Sequence, residues 1–176
     1  NNTWVHYTRA DGLSTDNVNA VAADGSWVWF GTDEGVTRLD LGSNQWKTYK
    51  RKDGLTGEDI TCITVDGRYV WFGTDGGVNR YDNQLDSWAA RTQRDGLTSN
   101  AITAIAAEDQ FVWVGTRKRQ ERYEDRYEFF LSLGKKKEDG GVNRYDKTLD
   151  SWNTYSRKDG LVDDDISTIA ADEGHV

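Results

Sequence analysis

Val28-Trp29-Phe30-Gly31-Thr32-Asp33-Glu34-Gly35-Val36-Thr37-Arg38-Leu39-Asp40 is the stretch that decides how this chain folds. Two short runs rich in β-branched and aromatic residues flank an Asp/Gly turn, which is the pattern of a β-hairpin. The same string returns at 70–82 as VWFGTDGGVNRYD, with Tyr81 where Leu39 stood. It returns a third time in two halves. Val112-Trp113-Val114-Gly115-Thr116 comes first, and after an intruding segment comes Gly140-Gly141-Val142-Asn143-Arg144-Tyr145-Asp146.

The neighbours of the hairpin recur with it. A D-G-L turn starts at Asp11, Asp53, Asp95 and Asp159, in steps of 42, 42 and 64. Trp4, Trp46, Trp88 and Trp152 repeat those steps, and Gly31, Gly73 and Gly115 keep the 42. The repeat is therefore 42 residues long, and an insert at 117–139 accounts for the longer last step. A period near 40 with four short strands marks propeller blades.

Each repeat carries four strand candidates, A to D. Strand A is 18–23, then 60–65, 102–107 and 166–171. Its small interleaved residues (Ala20, Ala22, Ala104, Ala106) suit the crowded innermost strand of a propeller. Strand B is 28–32 and its copies, whose Trp-Phe pair is placed to fill the space between blades. Strand C is 36–39 and its copies. Strand D is 4–7, 46–49, 88–91 and 152–155, more polar, as an outer edge strand is. With no Pro in the chain, every turn relies on Gly, Asp or Asn, residues that tolerate positive φ.

The expected architecture is all-β: a partial propeller of four-stranded antiparallel blades, about three and a half of them. It consists of strand D at 4–7, blades at 17–49, 59–91 and 101–155, and a lone strand A at 165–172. Strands B and C between that A and that D are missing, and unpaired sheet edges are costly to bury. The expectation is that more chain, or a second copy in a homo-oligomer such as a dimer, completes the ring. The chain starts at Asn1 and contains no Met, so its N-terminus is expected to lie upstream.

Composition narrows the function classes. Eight Trp, eight Tyr and five Phe in 176 residues argue against disorder, which is poor in aromatics. A net charge of −8 disfavours non-specific nucleic-acid binding and anionic membranes. No run has the length of a membrane span, so no membrane insertion is expected. Cys62, in the column of Ala20 and Ala104, reads as a small core residue.

The string D-G-L-x(4)-[VI]-x(5)-D-G-x(2)-V-W-F-G-T-D-x-G-V-x-R-Y-D, followed by Trp-x-x-Tyr, resembles the two-component regulator propeller repeat. The resemblance covers nearly all the chain except the insert. It implies a seven-bladed or larger propeller, of the kind found in extracytoplasmic sensor domains of bacterial hybrid histidine kinases. It also implies a periplasmic or secreted location. Nothing kinase-like is present in the sequence.

The insert 117–139 (RKRQERYEDRYEFFLSLGKKKED) is the one non-repetitive feature. It falls in the B–C turn of the third blade, which shares a face of the ring with the D–A connections. Its ends are basic and its middle apolar. Tyr123, Tyr127, Phe130 and Leu131 follow helical spacing, while Tyr127, Phe129, Leu131 and Leu133 alternate as in a strand. The reading here is a helix over 118–131 that Gly134 caps. It serves as a protein contact, as a ligand gate, or as a loop packed on its own propeller. The candidate binding face thus comprises Asp11, Asp53, Asp95, Asp159, Tyr123, Tyr127, Phe129, Phe130 and Leu131. The four Asp are expected to cap their own turns, with a ring of them near the channel as the alternative. Arg38, Arg80 and Arg144, one per blade, are expected to form structural ion pairs with a recurring Asp. Asp163-Asp164-Asp165 lacks the spacing of a calcium loop.

No catalytic constellation accompanies His6 or His175, and no zinc, phosphate-loop or dinucleotide fingerprint appears. No cofactor or metal is expected. The leading reading is a non-catalytic, sensor-type propeller that binds a protein or small ligand. The alternatives are a self-assembling half-ring and a lyase-like propeller enzyme.

Overall fold

The computed structural model describes residues 3–118 and 139–171. Its strands form three four-stranded antiparallel sheets, each in simple sequence order. The first holds β1 (Val18–Ala23), β2 (Trp27–Thr32), β3 (Gly35–Asp40) and β4 (Gln45–Tyr49). The second holds β5 (Ile60–Asp66), β6 (Tyr69–Thr74), β7 (Gly77–Asp82) and β8 (Ser87–Arg91). The third holds β9 (Ile102–Ala107), β10 (Phe111–Thr116), β11 (Gly141–Asp146) and β12 (Ser151–Tyr155). In each sheet these are strands A to D of the repeat, up to a residue or two at the ends.

The deciding hairpin forms as read. In β2–β3, Thr32 pairs with Gly35 across Asp33-Glu34, and the Thr32 hydroxyl donates to the Gly35 carbonyl at 2.9 Å. The third blade keeps this base although the insert divides it. Thr116 pairs with Gly141 and donates to its carbonyl at 3.1 Å.

The second blade is sandwiched between the first and third, so its central strands are apolar on both sides. Trp29 lies 5.4 Å from Phe72 and 5.1 Å from Tyr81 of the next blade. Trp71 lies 5.5 Å from Tyr145 and 6.4 Å from Trp152. The Trp of each motif therefore fills the gap to the following blade. The Gly two residues on does the opposite job. A Cβ on Gly31 would come within 2.5 Å of Ile60, and one on Gly73 within 2.7 Å of Ile102. The Gly is what lets the first residue of the next inner strand approach.

The inner strands β1, β5 and β9 pack on one another. Each begins with a register shift, at Val18/Ala20, Ile60/Cys62 and opposite Gly115/Thr116. Such a bulge frees one side chain from the ladder. Thr61, at the second bulge, donates to the Ile102 carbonyl of the next blade at 2.8 Å, and Thr64 to that of Ile105 at 2.7 Å. Cys62 packs with the apolar cluster between the second and third blades, and burial pushes its thiol pKa up.

The flanking segments differ from expectation. Residues 4–7 and 165–171 form no ladder, because the described residues supply no B or C strand for them to pair with. Their anchors are nevertheless placed. Tyr7 lies 5.4 Å from Trp46, as Tyr49 lies 5.3 Å from Trp88. Ile166 donates its N–H to Thr116 at 3.1 Å and accepts from the Thr103 hydroxyl at 2.5 Å.

Candidate binding face

The D–A connections and the B–C turns share one end of the blades. Asp75 donates its N–H to the Asp59 carbonyl at 3.1 Å, and a Cβ on Gly76 would meet the Thr56 carbonyl at 2.3 Å. Arg117 and Lys118, at the root of the insert, lie on the same end. The Arg117 N–H donates to Ala101 at 3.0 Å and the Lys118 N–H to the Asp165 carboxylate at 2.6 Å.

Each D-G-L turn is a short 3-10 turn closed by its own Asp. Asp11 accepts from the N–H of Thr8 at 2.8 Å, and Asp53 from that of Lys50, Asp95 from Thr92 and Asp159 from Ser156, each at 2.9 Å. The Thr8, Thr92 and Ser156 hydroxyls add a second bond. The Thr92 hydroxyl, foremost, holds the Asp95 carboxyl below its ordinary pKa. The glycines beside these residues abut outer strands, Gly12 on Trp46 and Gly54 on Trp88. Each of the four Asp is thus committed to its own turn, and the first two turns stand against outer strands.

A second column of the same turns escaped the sequence reading. Asp16, Glu58, Asn100 and Asp164 accept from the N–H of Arg9, Arg51, Gln93 and Arg157, at 2.8, 3.1, 2.6 and 2.6 Å. The signal was present, since an acid or amide stands five residues after every D-G-L Asp. The turn is also bolted down from beneath. Asn79, wholly buried, accepts from the Thr56 N–H at 3.1 Å and hydroxyl at 2.7 Å, and donates to Gly54 at 3.1 Å. Asn143 holds Thr98 likewise, and Thr37 holds Ser14.

Inside this rim lies a cleft of about 640 Å³ between the second and third blades. Asp59, Asp75 and Asp165 line it with Thr61, Arg117 and Lys118. Asp33, the first-blade counterpart of Asp75, receives the Asn17 amide at 2.9 Å. The buried Oδ1 of Asp75 has no hydrogen-bond partner among the described residues. The third blade places a cation, Arg117, in that column. The cleft therefore combines carboxylates and cations at the mouth of the inner wall, a setting for a polar or zwitterionic group. Tyr123, Tyr127, Phe129, Phe130 and Leu131, and the helix expected over 118–131, lie outside the described residues. Among the described residues no group of three or more His, Cys, Asp or Glu could hold a metal ion.

The recurring arginines correct the sequence reading. Arg38, Arg80 and Arg144 were expected to pair with carboxylates, but the ion pairs among the described residues are Lys47–Asp86, Lys50–Glu34, Arg68–Asp82 and Lys147–Asp66. The three guanidinium groups instead cover rings, Arg38 at 4.4 Å from Trp27, Arg80 at 4.5 Å from Tyr69 and Arg144 at 4.5 Å from Phe111. A weakly hydrated, planar cation favours such stacking. Arg38 and Arg80 then donate to the Tyr81 and Tyr145 hydroxyls of the next blade at 3.1 and 3.3 Å. Those hydroxyls donate in turn to Asp86 and Asp150. The carboxylate is reached, but through a tyrosine. Burial foremost, then the bond to Asp86, pushes the Tyr81 pKa up. Elsewhere on the blade, the hydrogen bond from Arg68 holds the Asp82 carboxyl down at about 2.

No family model matches the sequence, and no curated protein matches it. Solved structures do match. The extracellular domain assigned to hybrid two component system BT3049 of B. thetaiotaomicron is 19% identical, with a TM-score of 0.71 over 92% of this chain and 21% of that one. A second such domain, BT4673 of the same organism, is 17% identical, with a TM-score of 0.62 over 90% and 18%. The computationally designed Ika4 protein is 15% identical, with a TM-score of 0.55 over 87% and 79%.

This chain is part of a β-propeller.

The propeller matches the fold implied by the repeat, and the present chain spans about a fifth of the length of the two bacterial domains. Its blades carry no more than the scaffold needs in most columns. The departures from the repeat are therefore where a specific role is to be sought.

Proposed function

We propose that this propeller is a non-catalytic binding module of the extracytoplasmic sensor type. Its recognition face is the one that carries the D–A turns and the root of the insert. The observation that carries this reading is the cleft lined by Asp59, Asp75, Asp165, Arg117 and Lys118, at the place where the insert interrupts the third blade. Charged groups that a scaffold repeats once per blade serve the blade; a column that changes from Asp33 and Asp75 to Arg117 does not. The assignment of the two bacterial domains to extracellular parts of two component systems supports both the sensor role and the location.

The test is a thermal-shift series with amino acids, dicarboxylic acids and sugars as probes. It uses the full chain and a variant whose residues 117–140 are replaced by Asp-Gly, the turn of the second blade. The expected result is a saturable rise in Tm for one probe class that the short-turn variant loses while keeping its circular dichroism. No rise with any class, or a rise the variant retains in full, contradicts the reading.

A second reading is that the ring is completed by the remainder of a longer chain or by another copy of this one. It is supported by the two end faces. Phe30, Leu39 and Trp46 on the first blade occupy the columns of Phe72, Tyr81 and Trp88. Trp113, Val142 and Tyr155 on the third line an open crevice in the columns of Trp29, Val36 and Tyr49. The two ends thus carry the two sides of the contact already made between blades.

A further inference from the structure

We propose that the crevice between the outer halves of the second and third blades is a binding site for small para-substituted phenols. The argument comes from comparing two equivalent gaps in the same molecule. Between the first and second blades the gap is filled by the ring of Tyr49. It stacks 6.1 Å from Trp29 at an interplanar angle of 25° and meets Trp88 edge-on at 5.3 Å. Its hydroxyl donates to the Tyr81 hydroxyl at 3.3 Å.

The walls of the next gap are built from the same residue types, with Trp71 and Trp152 in edge contact at 6.4 Å. Trp71, Tyr145 and Trp152 stand where Trp29, Tyr81 and Trp88 stand, and the Trp71–Tyr145 separation of 5.5 Å matches the 5.1 Å of Trp29–Tyr81. The filler differs. Val36 pairs with Tyr49, but its counterpart Val78 pairs with Arg91. The column otherwise holds Tyr7 and Tyr155, so Arg91 is the departure. Lys47, which reaches Asp86 across the first gap, is likewise replaced by Ala89. What remains is a half-open crevice of about 230 Å³ walled by Trp71, Val78, Arg80, Tyr145, Asp150 and Trp152, with Arg91 and the exposed Ala89 and Ala90 also lining it.

The polar end is specified too. The Tyr81 hydroxyl donates to Asp86 and accepts from both Arg38 and Tyr49. The Tyr145 hydroxyl donates to Asp150 at 2.7 Å and accepts from Arg80 at 3.3 Å. A hydroxyl has two acceptor lone pairs, and the bond that Tyr49 supplies in the first gap is the one left to a ligand in the second. A phenolic O–H at the Tyr145 end of the crevice makes that bond, with its ring alongside the Trp71–Trp152 pair, and its para substituent leaves past Arg91. This site is separate from the cleft at Arg117 and Lys118, and either proposal can fail alone.

The probe is p-cresol, which is the tyrosine side chain itself, followed by indole N–H shifts of Trp71 and Trp152 in NMR titrations. The expected result is saturable shifts at both indoles, with toluene weaker by roughly tenfold for want of the hydroxyl. Arg91→Tyr refills the gap, so it is expected to raise the Tm and abolish the p-cresol response. Tyr145→Phe is expected to weaken p-cresol and leave toluene unchanged. Absence of saturable shifts at these indoles in the folded wild-type chain overturns the proposal. So does p-cresol binding that survives in folded Arg91→Tyr.

Discussion

Replacing Trp29 with Ala is expected to destabilise the chain by about 3–5 kcal/mol, the range for emptying a large aromatic site in a core. Trp29 is fully buried. Its ring touches Tyr49 on its own blade and Phe72 and Tyr81 on the next, and its indole N–H reaches Asp24 at 3.3 Å. The first and second blades are also tied by the Gly35 N–H to the Glu58 carbonyl at 2.7 Å and by the Asn19 amide to the Asp59 carboxylate at 3.2 Å. The sheets therefore cannot close on the void without breaking those bridges, and the cost falls toward the upper end. Urea unfolding followed by circular dichroism gives the number. Trp4→Ala is the control, since Trp4 is 90% exposed and its loss is expected to stay within about 0.5 kcal/mol. Equal costs for the two would mean that the motif Trp does not join the blades.

The second large effect belongs to a polar side chain. Asn79→Leu is expected to cost about 3 kcal/mol, because it strands buried donors and acceptors that Asn79 now satisfies. The Thr56 N–H, the Thr56 hydroxyl and the Gly54 carbonyl all lose a partner. The first blade supplies the conservative comparison. Thr37 occupies the same column and accepts from the Ser14 N–H at 3.2 Å, so Asn79→Thr keeps one of the bonds and is expected to cost about 1 kcal/mol. The same denaturation series reads both. A leucine variant as stable as the wild type would show that the D-G-L turn is held by its own cap alone.

These two residues also show what could be read in advance. Trp29 was legible because its job is repeated by Trp71 and because apolar residues in a β-pattern have few destinations. The blade period, the hairpin split by the insert and the capping role of Asp11, Asp53, Asp95 and Asp159 were legible for the same reason, as local patterns repeated in register. Which polar column of the repeat meets which was not. Arg38 was assigned a carboxylate because Arg and Asp recur together in the motif. Its actual partner ring, Trp27, belongs to an aromatic column continued by Tyr69 and Phe111, visible in the sequence but without any mark of what it faces. The Asn79–Thr56 bolt was hidden similarly, since both columns repeat and only the fold brings them together. The cleft at Arg117 and Lys118 was half-legible. That the B–C turns and D–A connections share one end was read from blade topology, but the residues that line the cleft, Asp59, Asp75, Asp165, Arg117 and Lys118, converge from turns far apart in sequence.

The measurement that bears most directly on the account is an NMR map of aromatic contacts in the folded chain. Blades joined through the motif Trp predict ring-proton cross-peaks from Trp29 to Phe72 and Tyr81, and from Trp71 to Tyr145 and Trp152, with none from Trp29 to Tyr145. Cross-peaks linking Trp29 directly to the third blade, or none between Trp29 and the second, would contradict it.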